Sequence, residues 1–74
     1  MQITQISKKS LRILRSRYES NLTAAIDALA ANGREGEPLS ALRAARANGD
    51  VLAARYLRAL QKRTEVNYEI ERRG

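Results

Sequence analysis

Arg55, Arg58 and Lys62 stand at positions i, i+3 and i+7. On a helix those positions share one face, so the three side chains line up along roughly 10 Å of axis. Such a row is either a solvated helix face or a surface that neutralises anions, whether phosphates of a nucleic acid or carboxylates of an acidic protein. Lys8, Lys9 and Arg12 form a second basic group near the N-terminus. These six residues are the candidate partner-binding site. Other chemistry is poorly provided for. The chain has no His and no Cys, so the commonest general base, the commonest metal ligand and the thiolate are all missing. Among the remaining Ser, Thr, Lys, Asp and Glu residues, no nucleophile sits in a recognisable arrangement with a base. Glu65 and Glu69 are spaced to share a metal, but only with further ligands, and they read instead as a solvated face answered by Arg72 and Arg73. Gly33 and Gly36 lack the spacing of a phosphate-cradling loop. With three Tyr and no Phe or Trp, stacking on nucleic-acid bases is not the main mode of any contact. The expectation is a non-enzymatic protein with no catalytic residues, metal, cofactor or small-molecule substrate.

The elements that must carry these residues are helical. Leu11, Leu14, Tyr18, Leu22, Ala25 and Leu29 follow the 3.6-residue period, with Ile26 widening the stripe, and neither Gly nor Pro interrupts them. The spacing predicts a helix over 8–32, started by Ser7 or Ser10 as cap and ended by Asn32-Gly33. Residues 1–7 read as an extended arm and 33–38 as a polar linker. Leu39, Leu42 and Ala45 mark a short helix over 38–48, with Pro38 in its first turn. Gly49 closes that helix and Asp50 caps a third, over 50–72, whose stripe runs Leu52, Tyr56, Ala59 or Leu60, Arg63, Val66 and Ile70, flanked by Ala53 and Leu57. On this wheel Arg55, Arg58 and Lys62 lie well away from the apolar face. The fold class is therefore all-α, a single domain over 1–74 in which a short helix joins two long ones. The short segments 10–15, 41–46 and 56–61 look alike, but their unequal spacing reflects Leu, Ala and Arg-rich composition and not a structural repeat.

Charge orders the two long helices. Residues 1–18 carry Lys8, Lys9, Arg12, Arg15 and Arg17 and no acid, whereas 64–71 carry Glu65, Glu69 and Glu71 and no base. Antiparallel packing sets these segments side by side and places Glu19 and Asp27 near Lys62, Arg63, Arg55 and Arg58. Parallel packing would set two basic segments together. Seventy-four residues without a disulfide bury a small core, so a homodimer or a hetero-complex is the expected working form. No apolar run approaches a membrane span and the first ten residues lack a signal-peptide core, which points to a soluble cytoplasmic protein without membrane contact.

Two functional readings follow. The first is a nucleic-acid-associated regulator, held to phosphate by Arg55, Arg58, Lys62, Lys8, Lys9 and Arg12, for which the net charge of +6 is the positive signal. The second is a protein-binding inhibitor or adaptor, of the phage or mobile-element type, docking by its helix faces on an acidic surface of a larger protein. Residues 41–62 have the outline of a helix–turn–helix reader, but the positions it would bury fall on Arg55 and Arg58, and Asp50 stands where phosphate would lie. A ribbon–helix–helix layout fails because Ile3 and Ile6 do not alternate as a ribbon strand requires.

Overall fold

The structure, a computed structural model, describes residues 5–73. Three helices account for nearly all of them: α1 (Lys8–Ala31), α2 (Leu39–Ala47) and α3 (Val51–Arg73). The long helices are antiparallel, since Arg73 at the end of α3 donates to the carbonyl of Ile6 just before α1. α3 packs against both α1 and α2, giving an elongated body of 38 × 21 × 20 Å. Of the proposed extended arm, residues 1–4 lie outside the described residues. Gln5 and Ile6 turn, and only Ser7 is extended, where its hydroxyl accepts from the Ser10 amide and caps α1.

Both helix ends that precede a linker are built the same way. Asn32 and Asn48 are the C-caps, and Gly33 and Gly49 follow with φ of 72° and 87°. The Gly33 amide donates to Ala30 and the Arg34 amide to Leu29. The Gly49 amide donates to Arg46 and the Asp50 amide to Ala45. These paired bonds define the Schellman motif, which satisfies carbonyls that the helix leaves unpaired. Each Asn also donates its side-chain amide to the carbonyl four residues back, Ala28 and Ala44 respectively. Arg34 and Asp50, the residues that follow the two glycines, then bond each other at 2.6 Å. Asp50 accepts from the Ala53 amide as well, starting α3 directly where α2 stops. That amide is the main reason the Asp50 carboxyl sits below its ordinary range, with Arg34 adding to it. Pro38 precedes α2 as its cap residue, one position earlier than a first-turn proline.

The stripe on α1 is buried as its spacing predicts, at Leu11, Leu22, Ala25 and Leu29, while Ile26 stays exposed. Ile26 falls on the flank of α1 that faces away from the groove described below. On α3 the deepest residues at its start are Ala53 and Leu57, which meet Leu29 and Leu42 with Ala45, Leu52 and Tyr56 around them. The predicted flank is thus the centre there, because α2 covers that side of α3. Further along, Val66 of α3 and Leu11 of α1 are both 0% exposed. α3 runs unbroken through Arg63. That residue is half-buried in the stripe, and its Nε finds no hydrogen-bond partner among the described residues. Its aliphatic stem is long enough to line the core while the head reaches outward.

Glu69 departs most from the sequence reading. It was expected on a solvated face and is 3% exposed. Arg72 and Arg73 both bond it, through their Nε atoms at 3.0 and 2.9 Å. The Arg72 hydrogen bond, with Arg73 beside it, holds the carboxyl at about 2 against the opposing effect of burial. Arg72 and Arg73 do answer Glu69, but as a lid over the end of the core. The expected ion pairs between α1 and α3 do not form among the described residues. Lys62 pairs with Glu65 and Glu69 pairs with Arg72 and Arg73, all within α3. Partners three or four residues away on one helix are within easy reach of each other, and Lys8 and Arg12 stay exposed.

Candidate functional site

Arg55, Arg58 and Lys62 do share one side of α3, but that side is not remote from the helix interface. They form one wall of an open groove of 410 Å³ between α3 and α1, with Tyr18, Asn21 and Ala24 on the opposite wall and the buried Ala59 in the lining. The geometry follows from spacing. Tyr18, Asn21 and Ala24 step by three and drift away from the buried stripe of α1, while Arg55, Ala59 and Lys62 step by four and three and so stay on one side of α3. Small side chains at Ala24 and Ala59 keep the walls low, so the groove is open to solvent.

No carboxylate lines this groove. Arg55 and Arg58 are exposed and neither makes an ion pair among the described residues. Lys62 is half-buried and lies 3.9 Å from Glu65, a loose pair that neutralises little. The helices being antiparallel, Lys62 is level with the Tyr18 end of the groove and Arg55 with the Ala24 end. Beyond Arg55 the surface continues into a second depression of 280 Å³, lined by Arg46, Gly49, Asp50, Val51, Ala54, Arg55 and Arg58. Its Asp50 is already committed to Arg34 and the Ala53 amide. Four cations therefore follow one another from Lys62 to Arg46 along the molecule.

Lys8, Lys9 and Arg12 are exposed at the far end of α1 and none of them lines either depression. At 100° per residue, Lys8, Arg12 and Arg15 fall on the flank of α1 opposite Asn21, and Lys9 falls on its outer face. The structure thus splits the six candidate residues into a groove trio and a separate N-terminal patch. Arg46, Tyr18 and Asn21 were missed. Arg46 lies in the last turn of α2, and only the tight Asn48-Gly49 turn brings it beside Arg55, a juxtaposition that no helical period reports.

Among the described residues no group of three Asp or Glu side chains could hold a metal ion, and no helix is long and apolar enough to cross a membrane. Comparison with protein-family models, with curated proteins and with solved structures gives no match.

Proposed function

We propose that this chain is a non-enzymatic nucleic-acid-associated regulator whose groove between α1 and α3 seats a sugar–phosphate backbone. The observation that carries the reading is a groove walled by Arg55, Arg58 and Lys62 and lined by no carboxylate. Phosphates are recognised by cations of fixed spacing, and Arg presents a planar fork suited to them. Asn21 and the Tyr18 hydroxyl supply neutral donors opposite. Affinity comes mainly from counterion release at the phosphates, and sequence preference is weak.

The test is fluorescence anisotropy with a labelled duplex and a labelled single strand across a salt series. Binding is expected to fall log-linearly with salt. The triple variant Arg55→Gln, Arg58→Gln, Lys62→Gln is expected to bind weakly, with the salt slope reduced by up to roughly 2.7 for three phosphate contacts. Its helicity is expected to be unchanged, because these side chains do not belong to the core. Equal binding by variant and wild type would overturn the reading, as would no binding by the wild type.

A second reading, docking on an acidic protein surface, is favoured by Val51. It is 70% exposed and lies in the depression with Arg46, Arg55 and Arg58. An apolar centre with a charged rim is the anatomy of a protein interface, and its affinity would change only shallowly with salt.

A further inference from the structure

The outer face of α1 carries a depression of 420 Å³ lined by Ser16, Glu19, Ser20, Thr23, Ala24 and Asp27. Its only charged residues are the two acids, both exposed and without an ion pair among the described residues. Ala24 belongs to this depression and to the basic groove as well. An acidic surface and a basic surface therefore lie side by side, with a low alanine ridge between them.

We propose that the acidic outer face of α1 docks into the basic groove of a second copy of the chain, forming a two-fold dimer about an axis running along the helices past Ala24. The charge pattern selects this axis. Rotation about it lays the acidic side of each copy over the basic side of the other, so both halves of an isologous contact are attractive. A two-fold axis across the helices would lay groove on groove and set Arg55, Arg58 and Lys62 against themselves. The spacings agree. Glu19 and Asp27 are eight residues apart, about 12 Å along α1, and Arg55 and Lys62 span about 10.5 Å of α3. Glu19 is level with the Lys62 end and Asp27 with the Arg55 end. Ser20, Ala24 and Ala28 recur every fourth residue along this ridge, so the two α1 helices approach side by side and parallel from Ser20 onwards, with the long Arg17 at the edge of the contact. The inference stands on this geometry and does not depend on the nucleic-acid reading. If that reading holds, dimer and nucleic-acid complex exclude each other, since the same three cations serve both.

Sedimentation of the full chain over concentration and salt tests the dimer, using two charge-reversed variants. These are Glu19→Lys with Asp27→Lys, and Arg55→Glu with Arg58→Glu. Wild type is expected to form dimers that dissociate as salt rises. Each variant alone is expected to be monomeric, because its own surfaces now repel. Mixed in equal amounts the two should form a heterodimer, since reversed acids meet reversed bases in one half and native partners meet in the other. The neutral variant Glu19→Gln with Asp27→Gln avoids any loss of fold from charge reversal and should weaken the dimer about tenfold or more. A wild type that stays monomeric to its solubility limit would overturn the proposal. So would reversed variants that self-associate as wild type does, folded reversed variants that give no heterodimer on mixing, or a neutral variant that dimerises undiminished. The duplex-binding measurement is separate from all of these, so either proposal can fail without the other.

Discussion

Leu11→Ala and Tyr68→Ala set burial against size. Leu11 is 0% exposed and lies under the junction of the start of α1 with the end of α3, whereas Tyr68 is 68% exposed on α3. Leu to Ala removes three carbons, about 2.4 kcal/mol of transfer free energy at roughly 0.8 kcal/mol each. The cavity left behind adds to this, and such changes reach about 5 kcal/mol where the surroundings cannot close in. A chain of this length has roughly 4–11 kcal/mol of stability in all. Leu11→Ala is therefore expected to remove a quarter or more of it and to lower Tm by at least about 10 °C. Tyr68→Ala deletes a far larger side chain but is expected to shift stability by under about 0.5 kcal/mol, since little of the ring is covered and Ala is the better helix former. Thermal unfolding followed by circular dichroism, with urea unfolding as a second measure, reads both. Equal losses would refute the packing described here, because Tyr68 would then be as buried as Leu11.

Glu69→Gln should destabilise the protein at neutral pH far more than Glu65→Gln or Glu71→Gln, whose side chains are exposed. The same position sets acid sensitivity. A carboxyl held at about 2 against an ordinary 4.5 contributes stability that is fully present above about 4.5 and is lost as the pH falls towards 2. A plot of Tm against pH should drop across that window in wild type and flatten in Glu69→Gln; an unchanged profile would remove Glu69 from the account. Gly49→Ala should cost roughly 1–2 kcal/mol in urea unfolding, because the left-handed conformation penalises any Cβ, even though no atom lies within 4 Å of where the Cβ would sit.

The helices were legible because their signals are local. Apolar period, Asn-Gly stops and Asp50 as a start each depend on a few neighbouring residues, and all three helices lie within two residues of their predicted bounds. Antiparallel order was also legible from the complementary charge of the two long helices, although the ion pairs of α3 form within that helix and not across to α1. What escaped is what depends on the angle between helices. Glu69 reads as a surface acid until Ile6 is brought against Arg73. Arg55, Arg58 and Lys62 read as a stripe facing away until the wall of α1 beside them is in place. Arg46 enters only through the turn that folds α2 back on α3. The groove needed tertiary geometry, while the identity of its cations did not.

The contact between Ile6 and Arg73 spans 67 residues of sequence. Closing so long a loop is slow and entropically costly, whereas the corner around Leu42 and Leu57 joins residues of neighbouring helices through the tight Asn48-Gly49 turn. Assembly should thus begin at that corner and proceed towards the other end, with α1 laid down along α3 like a closing zip and the Glu69 lid formed last. Opening runs the same course backwards. The amides of Lys8 to Arg15 and of Val66 to Arg73 become the first to exchange with solvent, and the groove cations, nearer the corner, keep their positions in molecules whose far end has already come apart.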